Sequence, residues 1–464
     1  IVFNKAMQVD ADAKFPGNVA VDTAHRLARL GTGLPPARIS RRPTNTDLVA
    51  AMECTGLDVR VGNERIDFSA GQIAEFARST VGTFCKTTDR SLAEQHVTFR
   101  SGLLEARAKP AASARSAVAK HVLPYAKQLW NLYSDDANDG LGYSDNHDIY
   151  LKRWQLLNPR IDAQVILFDE AQDADPVMTD VVLAQEHAQV IFCGDSYQAI
   201  YEWRGAVDAL DRFADEGKSS GSKVPEFWLR ESFRFGGPIA SEAQRILKRM
   251  GCRETIVGAA THESSVGVID KPRCIVCRTN KGALEAVSDA VDMGMRPHIA
   301  GRNYVSRLRN LARNAQAMRE GGVYDHHVLN AFKTWQEVVE WARLDDQELD
   351  PDASAILTID EKGPKKVLFL LDRHVEFEAD ADIVITTVHQ AKGREWDTVR
   401  LADDFKHPDD ITPGKTDSRE IRRRKNEELR VCYVAITRAR RHLDLGGGLW
   451  RAPRREQAIE GGGS

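Results

Sequence analysis

The sequence predicts an α/β protein: two parallel-sheet domains in tandem, each carrying an inserted, mainly helical subdomain. Three observations carry this. The chain has 464 residues, too many for one hydrophobic core. Short apolar runs recur, and each ends in a polar cluster: VILF before DE (165–170), VIFC before GD (190–195), EFWL before RESFR (226–234), CIVC before RTN (274–280), DIVITT before VHQ (382–390) and VRLA before DD (399–404). Helical patterns such as PVMTDVVLAQ and PIASEAQRILKRM lie between them. Strands alternating with helices mean a parallel sheet covered on both faces, with ligands beyond the carboxyl ends of the strands.

Taken in order, residues 1–28 and 121–240 are expected to form the first sheet domain, and 241–299 with 376–464 the second. Residues 29–120 are Ala-rich with Pro and Gly punctuation and read as a mainly helical insertion. Residues 300–375 read as a smaller one, helix-like in HHVLNAFKTWQEVVEWARLDD and then briefly acidic. RRRKNEELR, with its blocks of opposite sign, reads as a solvated helix face. The tail EGGGS reads as a flexible end or linker.

Composition sets outer limits. Acids outnumber bases by 68 to 64, so the chain as a whole has no basic signature; nucleic-acid binding would need a local basic groove. Seven scattered cysteines argue for reduced thiols. Cys274 and Cys277 form a C-x-x-C within a strand pattern, which sends the two side chains to opposite faces and favours core packing over zinc. No run of 18 apolar residues is present, so no membrane span is expected, and no signal peptide is read at the N-terminus.

The chemistry begins at Asp169 and Glu170, adjacent carboxylates at a strand tip. Such a pair suits a divalent cation held beside a general base. Gln172 follows in DEAQD, then Gln198, Tyr201, Trp203 and Arg204 in CGDSYQAIYEWRGA. With these residues the chain resembles the UvrD/Rep-type superfamily 1 DNA helicases. FNKA, TAHRLA, ESFR, CRTN, TTVHQAKGREWDTV and EELRVCYVAITRARRHL continue the resemblance in order. HDIYLKRWQL and TVHQAKGREWDTVRLADDF are most similar to the F-box DNA helicase branch, although no F-box segment is present.

The resemblance implies two RecA-like domains of the P-loop NTPase helicase fold, with ATP and Mg²⁺ as cofactors. It makes Asp169 the metal acid, Glu170 the base for the attacking water, and Arg234 and Arg438 the arginine fingers. Gln172 and Gln198 would report on the γ-phosphate. Phe233 would stack on adenine, and Glu395, beside Gly393, would approach the ribose. Phe3, Asn4, Lys5, Thr23, His25, Tyr201, Trp203, Arg204 and His389 would touch DNA, with Trp203 the best base-stacking candidate. For Phe233, Trp203 and His389 simple core packing stays open.

The implied activity is 3′→5′ translocation on single-stranded DNA, with duplex junctions as further substrate and no membrane partner. Protein partners stay unknown. The location would be nucleoid-associated cytoplasm in a bacterium or phage, the nucleus in a eukaryote. Repair and recombination are the expected settings. A non-catalytic DNA-binding protein keeping the helicase shape is the alternative.

A phosphate loop G-x-x-x-x-G-K-[ST] should accompany these motifs. Neither GKS (217–219) nor GKT (414–416) fits, because Arg212 and Asp409 stand where the first glycine is needed. In the family the loop precedes FNKA. IVFNKAM reads as a strand already under way at Ile1, so truncation ahead of it is the expectation, with natural loss as the alternative. On either account this chain alone should be inactive.

Overall fold

The computed structural model describes residues 1–464 except 3–4, 41–42, 62–63, 99–111, 136–140, 143–145, 202–208, 211–212, 214–223, 302, 327, 345–350 and 447–464. Phe3, Asn4, Trp203, Arg204, the GKS triplet and the EGGGS tail therefore lie outside the described residues. The chain divides into two compact units. One contains Ile1–Ser196, Tyr201–Val224 and Asn310–Pro364; the other contains Tyr197–Ile200, Pro225–Arg309 and Lys365–Ser464.

The first unit begins with α1 (Lys5–Asp12), α2 (Ala24–Gly31), α3 (Pro36–Ser40) and α4 (Asn45–Met52). A hairpin follows, β1 (Leu57–Val61) and β2 (Glu64–Phe68), paired antiparallel. Within the region expected to be mainly helical, LDVRV and ERIDF alternate with period 2 and form this one hairpin. Next come α5 (Ala70–Phe84), α6 (Ala112–Ser134) and α7 (Asp148–Leu156). Ser69 and Gln72 form a capping box that starts α5. β3 (Val165–Phe168) and β4 (Gln189–Phe192) pair in parallel, with α8 (Pro176–Leu183) as the crossover. Asp175 caps α8 through Met178 N–H, and Pro176 stands where no N–H is needed. On the other side of β3, Ile1 exchanges backbone hydrogen bonds with Leu167 and Asp169, and Val2 bridges Thr23 in parallel.

The second unit holds a six-stranded parallel sheet. Its strands are β7 (Ser265–Val266), β8 (Cys274–Cys277), β9 (Pro297–Ile299), β10 (Ile383–Thr387), β11 (Trp396–Leu401) and β12 (Ala439–Asp444), in the spatial order β7-β12-β11-β8-β10-β9. Every residue of β10 is buried, as a strand covered on both faces requires. Cys274 and Cys277 are both buried and free. The helices include α9 (Gly237–Arg249), α10 (Asn280–Asp292), α14 (Pro364–Leu371), α15 (Val388–Ala391) and α16 (Arg419–Ile436).

α11 (Tyr304–Arg319) runs from the second unit into the first. α12 (Trp335–Ala342) and α13 (Pro351–Lys362) pack together in the first. Three expectations are corrected. EFWL at 226–229 forms no strand; only Glu231–Ser232 pairs, as β5 with β6 (Val257–Gly258). HHVLNAFK is broken into a 3₁₀ turn over Leu329–Ala331 before α12. In RRRKNEELR, Glu427 and Glu428 are buried, and Glu428 accepts two hydrogen bonds from Arg278, so only the leading turns of α16 form a solvated face.

Candidate functional site

In the first unit the acids sit where the strand stops. Asp169 follows the last residue of β3, and its Oδ1 accepts from Glu170 N–H at 3.0 Å. Glu170 has φ of 52°, a left-handed conformation that a non-glycine residue adopts at some cost. Gln172, almost fully buried, donates to Glu170 Oε2 and accepts Asp195 N–H at 3.0 Å. A Cβ on Gly194 would lie 2.3 Å from Gln172 Oε1, so only glycine permits this approach. Gln172 thus ties Glu170 to the loop after β4. The Asp169 carboxyl is held above the ordinary carboxylate range, by desolvation first and then by the Glu170 charge.

The same unit places the early residues. Thr23 is the N-cap of α2, its hydroxyl accepting Arg26 N–H at 3.2 Å. His25 Nε2 lies 3.3 Å from Asp148 Oδ1 on α7, and its ring meets Tyr150 edge-on. Burial pushes Asp175 up to about 6, with Asp148 adding to the effect and His25 opposing it. Lys5 opens α1 and donates to Gln8 at 3.0 Å. Tyr201 is half-buried.

In the second unit the cations gather around two strand ends. Arg438 follows α16 and is 1% exposed. Its guanidinium donates to Val434 O at 2.8 Å, Thr437 Oγ1 at 2.9 Å, Arg394 O at 3.3 Å and Gln198 Oε1 at 3.4 Å. A cation on the last carbonyls of a helix is favoured by the helix dipole. Gln198 also offers its carbonyl to Lys392 Nζ at 2.6 Å. Arg234 reaches Glu395 Oε2 at 2.7 Å and Thr437 O at 3.2 Å. Gly393, at φ of 78°, makes the turn between α15 and Glu395. Phe233 is 71% exposed, so its ring is not core packing. His389 is half-buried; desolvation and then the Arg278 charge push it down to about 4, against a hydrogen bond that the imidazole donates to the Ile200 backbone carbonyl.

Sequence reasoning thus named Asp169, Glu170 and Gln172, which the fold brings together, and Gln198, Arg234, Glu395 and Arg438, which it also brings together. It passed over Asp195, Lys392, Thr437 and Arg440, all inside quoted motifs. A charged residue inside a motif was the available signal for Asp195, Lys392 and Arg440. For Thr437 there was none, because it acts mainly through its carbonyl.

Residues 63–215 match the UvrD/REP helicase N-terminal domain, and residues 302–445 match the UvrD-like helicase C-terminal domain. The chain belongs to the UvrD-like helicases. Its α/β architecture, with the six-stranded parallel sheet, is that of the RecA-like helicase fold. The chain is 28% identical to F-box DNA helicase protein 1 of Schizosaccharomyces pombe, over 96% of this chain and 52% of that protein. It is 29% identical to F-box DNA helicase 1 of Gallus gallus, over 96% of this chain and 44% of that one. A probable DNA helicase II homolog of Mycoplasma pneumoniae shares 33% identity over 20% of this chain and 13% of its own length. This UvrD-like chain therefore spans about half the length of the F-box DNA helicases it matches. Among its described residues no helix is long and apolar enough to cross a membrane.

The donor set fits a hard cation that keeps most of its water. Asp169 and Glu170 offer carboxylate oxygens, and among the described residues no group of three or more His, Cys, Asp or Glu side chains forms a closed metal cage.

Proposed function

We propose that the protein containing this chain is an ATP-dependent DNA helicase that steps 3′→5′ along single-stranded DNA. The observation that carries this is the strand-tip arrangement: Glu170 is fixed by Gln172, and Gln172 by the loop carrying Asp195. A base held this way can orient a water and take its proton at a carboxylate oxygen. Asp169 would hold Mg²⁺, which supplies charge neutralisation at the phosphates. Arg234 and Arg438 would stabilise the charge that develops in phosphoryl transfer, and their planar forks suit phosphate oxygens. Phe233 offers an exposed face for adenine, and Glu395 a carboxylate for the ribose. Thr23, His25 and His389, with Phe3, Asn4, Lys5, Tyr201, Trp203 and Arg204, would line the DNA path. Duplex junctions are the expected substrate, and repair or recombination the setting, in the nucleus or nucleoid.

The test is Glu170→Gln in the full-length protein. Nucleotide binding should persist while DNA-stimulated turnover falls at least about 10²-fold, the low end of general-base effects. Wild-type turnover would remove Glu170 from this role. The chain of 464 residues by itself should not turn over ATP, since neither GK[ST] triplet has the spacing of a phosphate cradle. Steady-state ATPase with saturating single-stranded DNA checks this, and turnover well above that of a Glu170→Gln control would show that another segment serves.

A further inference from the structure

Arg234 is held by Glu395, and Glu395 has a second cation beside it. Glu395 Oε2 accepts from Arg234, while Glu395 Oε1 lies 3.7 Å from Arg440. Arg440 also approaches Asp397 at 3.3 Å, and Arg441 does so at 3.9 Å. The backbone explains the crowding. Trp396 of β11 pairs with Ala439 of β12, but Thr398 pairs with His442. One residue of β11 therefore faces two of β12, and this bulge leaves Arg440 and Arg441 both exposed beside Asp397. Glu395 thus stands between two arginines, one on the loop after β5 and one on a strand fixed in the sheet.

We propose that Arg440 is a positioning residue that takes over Glu395 when Arg234 turns to the phosphates. This rests on Arg234 acting as an arginine finger. A finger parked on a carboxylate must break an ion pair to act, and the carboxylate it leaves must not be stranded. With Arg440 in place, Glu395 keeps one partner throughout, so its hold on Arg234 is divided and release is easier. Without Arg440, Arg234 is the one cation left on Glu395 among the described contacts, and the grip tightens. Asp397 keeps Arg440 extended toward Glu395. All four groups are half-exposed, so the effect is that of a screened pair.

The experiment is a kinetic cycle in the full-length protein with saturating single-stranded DNA. Arg440→Ala should lower kcat about two- to five-fold, the size of one half-exposed ion pair, with a smaller change in KM for ATP. Arg440→Lys should recover most of the loss. In a Glu395→Gln background, where the grip on Arg234 is already released, Arg440→Ala should change kcat by less than about 1.5-fold. A raised KM with unchanged kcat would mean that Arg440 merely shapes the nucleotide pocket, and would overturn the relay. So would an undiminished kcat effect of Arg440→Ala in the Glu395→Gln background. Arg234→Ala separates the two levels of the argument. If it retains wild-type turnover, the finger reading itself falls. If it abolishes turnover while Arg440→Ala behaves as wild type, the relay alone falls.

Discussion

The sheet of the second unit and the β3–β4 pair of the first are made from similar apolar runs, yet they are finished differently. In β10 every side chain is buried, and Val384 and Ile385 are 0% exposed. In β3 only Ile166 and Phe168 are buried, while Val165 is 49% and Leu167 38% exposed. Ile191 on β4 shows the same openness. Burial is set by what covers a strand, so VILF and DIVITT, nearly equal as sequences, differ as structures. The chemistry follows the same line. The second unit buries Arg438 among carbonyls, whereas the first presents its acids at the end of a strand whose Val165 and Leu167 are partly exposed.

The largest test of that contrast is a core truncation. Ile385→Ala should destabilise the second unit by about 2–5 kcal/mol, because a fully buried side chain leaves a cavity. Urea unfolding followed by hydrogen exchange at β8 and β10 amides would read it. A loss below about 1 kcal/mol would show that the β10 layer is loosely packed, since overpacked or well-filled cores do not behave so.

Acid should act in opposite senses at the His374 and His389 sites and at Asp175. His374 and His389 in the second unit are both pushed down to about 4, in each case by desolvation first. Between pH 6.5 and 4 the unfolded chain then binds more protons at these sites, so stability present above 6.5 is lost as pH falls. Asp175 in the first unit is pushed up to about 6, so between pH 6 and 3.8 its folded form binds more protons and gains stability as pH falls. Each half-buried histidine is expected to contribute on the order of 1 kcal/mol after screening. Exchange protection at pH 7 and pH 5, corrected for intrinsic rates, should fall in β10 relative to α8. A parallel fall in both would break the contrast.

A third test reaches the DNA side. Trp203→Ala should weaken single-stranded DNA binding by about 1–3 kcal/mol, with little dependence on base composition, because stacking reads no hydrogen-bond code. Fluorescence anisotropy with mixed and homopolymer strands measures it. Unchanged affinity in a folded variant would place the indole in the core.

What was legible in advance follows from the same contrast. Apolar runs ending in polar clusters located β3, β4, β8, β10 and β11, because strand periodicity and length are local properties. EFWL satisfied the same local rule and formed no strand; Phe227 and Leu229 are exposed, since a strand also needs a neighbour to pair with. The hairpin at 57–68 was visible as alternation in LDVRV and was hidden by the Ala-rich composition around it. The motifs identified Arg234, Arg438, Glu170 and Gln172. They carried no information that Arg438 would be buried against four acceptors, or that Glu395 would hold Arg234. Those contacts depend on which strands and loops the fold brings together, which is a tertiary fact.

The smallest expected effect is the most direct probe of the open face. Val165 and Leu167 alternate on one side of β3, and the exposed side gains little from apolar transfer. Replacing Leu167 with Thr keeps β-propensity and removes apolar surface that is partly in water already. The cost to stability should be under about 1 kcal/mol, against about 2–5 kcal/mol for Ile385→Ala in the covered sheet. The Val165→Thr, Leu167→Thr double variant should also stay soluble to a higher concentration, because a flat apolar strand face favours self-association. Denaturant midpoints and light scattering of the purified chain read both quantities. A loss above about 2 kcal/mol, the size of a core truncation, would mean that this face is covered in solution, and the difference between the two sheets would lie in occupancy and not in architecture.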